Sequence, residues 1–212
     1  MEYNKYIDHT LLAADASEEQ IRKLCAEAIQ YNFASCCVNG DYVSLVHKLL
    51  EGSDVKTCTV VGFPLGSCTT QAKVEEARQA IFDGADEIDM VINISYLKDK
   101  KYDEVLLELQ AMRRACHDRV LKVIIETCLL TDEEKIAACE LAKKAGCDFV
   151  KTSTGFSKGG ATVADVALMK KVCGDFPYVK ASGGIKTKEF MEELIQAGAS
   201  RIGTSRGVEL VK

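Results

Sequence analysis

No apolar run in this 212-residue sequence approaches the ~18 residues of a membrane span, and Met1 to Lys5 hold no apolar signal region. A soluble protein of the cytoplasm is therefore expected. No CxxC spacing occurs among the ten cysteines, most of which sit in apolar stretches where a free thiol packs as a small hydrophobe. That distribution fits a reducing compartment better than a disulfide framework. No HxxxH pair joins His9, His47 or His117, so no metal is expected. No basic run breaks the formal charge of −5, which argues against a nucleic-acid surface, because neutralising phosphates takes clustered Lys and Arg. An anionic ligand has to be small and held locally. No Pro/Gly/Ser-rich linker divides the chain, so residues 1–212 read as one domain.

What is present is a regular alternation of short strand-like runs and amphipathic segments, within a globular balance of 47% hydrophobic and 28% charged residues. Ser17 with Gln20, and Thr131 with Glu134, have the spacing of capping boxes. After the first, Ile21, Leu24, Cys25, Ala28 and Ile29 fall on one helical face, and Val105, Leu106, Leu109 and Met112 form a later stripe. Eight strands are expected at Ile7–Thr10, Ala34–Asn39, Thr57–Phe63, Glu87–Ile92, Leu121–Thr127, Phe149–Ser153, Tyr178–Ser182 and Arg201–Thr204. Their starts recur at roughly 28 residues, the length of a strand, a helix and two turns, which makes the pairing parallel. Gly84-Ala85-Asp86, Gly146-Cys147-Asp148 and Gly198-Ala199-Ser200 form a weak repeat that ends a helix and starts a strand. Eight such units close into an α/β fold of the (β/α)8 TIM-barrel type. The alternative, a doubly wound open sheet, lacks its GxGxxG turn.

In a barrel the chemistry lies at the carboxyl ends of the strands, so charges inside apolar strands are the residues to examine. Asp89, Lys151 and Lys180 stand out. Period-two alternation places Lys151 with Ser153, and Lys180 with Ser182, on one face each, and inward-facing lysines on consecutive strands become neighbours. A free lysine with pKa ~10.4 is neutral in about one molecule in 2,500 at pH 7. An adjacent cation and partial desolvation that lowered it to ~7 would raise the reactive fraction about a thousandfold, equivalent to roughly 4 kcal/mol of barrier. Gly155, Gly159, Gly160, Gly183, Gly184 and the run Gly203 to Gly207 follow the last three strands, as in a barrel phosphate site with a short helix over Ser205 to Leu210. Arg206 is an added charge-assisted donor there.

The blocks Tyr6-Ile7-Asp8-His9-Thr10-Leu11-Leu12, Cys37-Val38-Asn39, Val61 to Gly66, Glu87 to Asn93, Leu121 to Thr127, Lys151 to Phe156 and Lys180 to Ile185 resemble, in order, those of the deoxyribose-phosphate aldolase family. The resemblance implies a metal- and cofactor-free class I aldolase acting on small phosphorylated aldehydes, with Lys151 forming the Schiff base. It makes Lys180 the cation beside Lys151 and Asp89 a proton-moving acid. It assigns Gly155, Gly183, Gly184 and Ser205 to phosphate. Asp8 and Lys122 match polar positions near the substrate and equally suit a structural ion pair, while Cys37 reads best as a packed thiol. A homo-oligomer, with a dimer favoured, is expected. Two departures stand out: Phe156 replaces a lysine found in some members, and Lys212 is the last residue where some members continue to a terminal tyrosine. Competing readings are a sugar-phosphate isomerase without a covalent intermediate and a non-catalytic sugar-phosphate sensor.

Overall fold

Eight parallel strands form a closed barrel in the computed structural model, which describes residues 3–212. They are β1 (Ile7–Leu11), β2 (Ser35–Val38), β3 (Lys56–Val61), β4 (Glu87–Val91), β5 (Val120–Ile124), β6 (Phe149–Lys151), β7 (Tyr178–Ser182) and β8 (Ala199–Thr204). Each pairs with the next, and β8 pairs with β1 through Ile7, Asp8 and His9. Around them lie α1 (Glu18–Gln30), α2 (Val43–Leu49), α3 (Thr70–Phe82), α4 (Ile94–Lys98), α5 (Tyr102–Cys116), α6 (Asp132–Ala145), α7 (Val163–Cys173), α8 (Lys188–Gln196) and α9 (Gly207–Val211). No helix among the described residues is long and apolar enough to cross a membrane.

Local chemistry explains these boundaries. Both expected capping boxes form, Ser17 with Gln20 on α1 and Thr131 with Glu134 on α6. The glycines of the weak repeat all take positive φ, at +104°, +75° and +116°, which only glycine adopts without strain. Its aspartates then serve the sheet: Asp86 Oδ2 accepts from the Thr57 amide at 3.0 Å, and Asp148 Oδ2 from the Leu121 amide at 2.8 Å. Expected strand five runs to Thr127 but β5 stops at Ile124, because Glu126 sits at φ +56°, outside extended backbone. The α1 stripe is buried except Ile29, which is 43% exposed in the last turn of the helix.

Period-two alternation sorts each strand into two environments. Outward residues such as Ile7, Ile88, Val123, Val150, Val179 and Ile202 join the helices in the main apolar core. Inside the barrel a small apolar plug of Leu12, Cys37, Cys58 and Val60 fills one side. The other side is charged.

Candidate active site

Six charged groups inside the barrel form a closed ring of alternating sign. Asp89 on β4 receives Lys122 of β5 at 2.7 Å, and Lys122 lies 2.5 Å from Glu87, two residues before Asp89 on the same face of β4. Glu87 meets Arg201 of β8 at 3.1 Å, and Arg201 meets Asp8 of β1 at 2.6 Å. Lys180 of β7 closes the circuit, 2.5 Å from Asp8 Oδ2 and 2.7 Å from Asp89 Oδ2. The Asp8 contact is an ion pair without hydrogen-bond alignment, and Asp8 Oδ2 accepts no hydrogen bond. Asp8 Oδ1 takes the Ser35 hydroxyl at 2.6 Å besides Arg201.

Lys151 of β6 hangs from this ring by a single contact, 2.8 Å from Asp89 Oδ2. Lys151 and Lys180 are register partners on adjacent strands, as the alternation predicts, and both donate to that one oxygen. A carboxylate oxygen therefore bridges the two cations. The ring's three acids match its three cations, so a protonated Lys151 is a surplus charge in a site where unpaired charge is costly. Burial opposes the charge on Asp8, Asp89, Lys122, Lys180 and Arg201, and their ring partners overcome it. Lys122, Lys151 and Lys180 hold the Asp89 carboxyl well below its ordinary range. Against the same burial, Arg201, Lys180 and Lys122 lower Asp8. Asp89 foremost raises Lys122, while Asp8 and Asp89 raise Lys180. Cys37, Cys58 and Asp89 offer ligand atoms within 4.8 Å of one another, yet both Asp89 oxygens already accept from ammonium groups, which would repel a metal cation.

Above the ring opens a cavity of about 420 Å³ at the carboxyl ends of the strands. Lys151 lines it; Asp8, Lys122, Asp89 and Lys180 do not, being buried beneath. Gly155, Gly183, Gly184, Ser205 and Arg206 line its other side. Gly183 and Gly184 take φ +87° and +76°, and a Cβ on Gly160 would stand 2.2 Å from the Gly183 carbonyl oxygen, so this crossing of two loops admits only glycine. The closing helix opens at Gly207, two residues later than expected, since the Arg206 amide donates to Thr204 Oγ1 at 3.0 Å. Arg206 is half exposed, and among the described residues its one ionic partner is Glu209 at 3.5 Å. Phe156 packs edge-on against Phe63, ring centres 5.2 Å apart, at the position where the resemblance would allow a lysine.

Several residues at the site escaped the sequence reading. Glu87 was detectable, since it shares the face of Asp89 two residues away, whereas Arg201 read as an ordinary charge near a strand start. Lys186 lines the cavity after the Gly183-Gly184 turn. Glu126 is buried and accepts the Thr154 hydroxyl, fixing a residue of the cavity wall. Its signal is conformational, and a sequence pattern does not show it.

A parallel barrel with one accessible lysine tethered to a buried charge ring beside glycine-rich turns is the constitution of a carbonyl-condensing or carbonyl-cleaving enzyme. The family model for DeoC/LacD family aldolases matches residues 3–210. The chain is 61% identical over 212 residues to the deoxyribose-phosphate aldolase of Finegoldia magna, covering all of both proteins. It is 57% identical over 213 residues to that of Clostridium tetani, covering 100% of this chain and 99% of the relative. The solved structure of the tetrameric deoxyribose phosphate aldolase of Aeropyrum pernix superposes with a TM-score of 0.91 at 34% identity, over 98% of this chain and 88% of that one. This chain belongs to the DeoC/LacD aldolase family. It is an aldolase, a carbon–carbon lyase.

Proposed function

We propose that this chain reversibly cleaves 2-deoxy-D-ribose 5-phosphate into D-glyceraldehyde 3-phosphate and acetaldehyde through a Schiff base on Lys151. The observation that carries this reading is the position of Lys151, the one cation of the cluster that both faces the cavity and stands outside the balanced ring. Losing its proton leaves three acids against three cations, and the freed amine is the nucleophile the chemistry needs.

The neutral amine attacks C1 of the open-chain sugar, and loss of water gives an iminium ion. Asp89 Oδ2, in contact with Lys151 Nζ, serves the proton transfers on nitrogen. The C3 hydroxyl then loses its proton to a water beside Lys151, which relays it to Asp89 beneath, the carboxylate that Lys180 also holds. As C3 becomes the carbonyl carbon of glyceraldehyde 3-phosphate, the C2–C3 electron pair moves into the iminium and leaves an enamine. Protonation at C2 and hydrolysis release acetaldehyde and restore the lysine.

Asp8 and Lys122 pair with Lys180 and Asp89 beneath the cavity and serve by holding them in place. Phosphate lies among Gly155, Gly183, Gly184, Ser205 and Arg206, where glycine lets backbone amides approach the anion closely. The chain works as one domain, as a homo-oligomer with a dimer favoured, in the cytoplasm; its free cysteines, mostly buried, suit a reducing compartment. The test is turnover of deoxyribose 5-phosphate with both aldehydes identified. Wild type is expected to release them in equal amounts and Lys151→Ala to release neither; equal turnover by both proteins would refute the assignment.

A further inference from the structure

We propose that Arg201 and Glu87, at the base of the ring and away from the cavity, are positioning residues that set how readily Lys151 gives up its proton. The inference rests on the Schiff-base reading of Lys151 and extends it to two residues that touch no substrate. Neither lines the cavity, and they pair with each other at 3.1 Å.

The argument is one of charge connectivity. Lys151 contacts Asp89 from β4 and neighbours Lys180 from β7; Asp89 also holds Lys122 from β5, Asp8 from β1 lies against Lys122 and Lys180, and the thiols Cys37 and Cys58 from β2 and β3 stand beside Asp89. Of the nearer charges, Asp8 and Lys122 each lean on the base pair: Arg201 holds Asp8 at 2.6 Å, and Glu87 holds Lys122 at 2.5 Å. Arg201 is fixed further by stacking over Phe149, 5.4 Å from the ring centre, and burial of its charge is outweighed by Asp8 and Glu87. Removing Arg201 takes one positive charge from the interior, and a protonated Lys151 is then no longer surplus. Removing Glu87 does the reverse and makes the surplus two. Removing both leaves the balance where it began. The ring members other than Arg201 are at most 3% exposed, so such changes reach Lys151 through buried protein rather than bulk water.

The test measures the pH midpoint of borohydride-trapped adduct formation with acetaldehyde in wild type, Arg201→Gln, Glu87→Gln and the double variant, with the modified lysine mapped in each. The midpoint is expected to rise by about one pH unit in Arg201→Gln and to fall by a similar amount in Glu87→Gln. The double variant should return close to wild type. A purely structural role would lower rates or stability without moving the midpoint in opposite directions. Glu87→Gln keeps the shape of the side chain, so it carries the test by itself if Arg201→Gln does not fold. Midpoints that stay together while the adduct maps to Lys151 overturn the proposal; an adduct on another residue overturns the Schiff-base reading instead.

Discussion

The two sides of Lys151 are built on opposite plans. Below it, every charge but Arg201, whose side chain is 14% exposed, is buried, and each is paired at ion-pair distance with at least two partners, in a ring drawn from the five strands β1, β4, β5, β7 and β8. Above it, Arg206 is half exposed with one distant partner, and glycine turns supply backbone in place of side chains. The lower side fixes protonation and geometry at a cost in desolvation, whereas the upper side is left unpaired to receive an anion. Substitutions below the lysine should therefore disturb stability and chemistry together. Those above it should act on substrate use alone.

The largest effect is expected from Asp89→Asn, which removes the carboxylate shared by Lys122, Lys151 and Lys180. Breaking one member of a buried ionic network costs about 3–5 kcal/mol, to be read from denaturant unfolding. Adduct formation should fall by ~10² to 10⁴ with the loss of its proton acceptor. The acid response gives the sign. Asp8 and Asp89 are held below their ordinary carboxyl values in the folded state, so their stabilising share is complete above the unfolded value of about 4 and is lost as pH falls below it. Wild type should lose stability more steeply than Asp89→Asn between about pH 5 and pH 2. Parallel acid curves would deny the ring its part in stability.

Lys180→Met comes next. It removes a ring cation, leaves Asp89 Oδ2 to Lys151, and balances three acids with three cations while Lys151 stays protonated. The pH midpoint of adduct formation should move up towards the ordinary lysine value of about 10.4, and the rate at pH 7 should fall by as much as ~10³, partly recovered at high pH. An unmoved midpoint would assign Lys180 to proton transfer alone. The smallest effect belongs to the upper side. Arg206→Ala should leave unfolding within about 0.5 kcal/mol of wild type and reduce kcat/KM for deoxyribose 5-phosphate about tenfold more than for unphosphorylated deoxyribose. Equal losses on both substrates would remove Arg206 from phosphate binding and erase the contrast between the two sides.

The sequence carries the barrel plainly, because helix and strand periods alternate, and the repeated glycine before a strand states the direction of each unit. Lys151, Lys180 and Asp89 were legible for the same reason: a charge inside an apolar strand is conspicuous. The arrangement of those charges was not. Alternation brings the two lysines side by side, but that Asp89 Oδ2 lies between them depends on the reach across β5 from β4 to β6 and β7. The Arg201 contacts to Asp8 and Glu87 likewise depend on barrel closure, which joins the last strand to the first and crosses the interior to β4. Glu126 escaped because its buried carboxylate is aimed by a left-handed backbone, for which this residue type gives little warning.

Borohydride trapping with acetaldehyde, followed by peptide mapping, tests the central claim most directly. The account predicts a two-carbon group on Lys151 alone, with activity lost in proportion to its incorporation. A modification on Lys180 or Lys122, with Lys151 unmodified in inactivated enzyme, would contradict it.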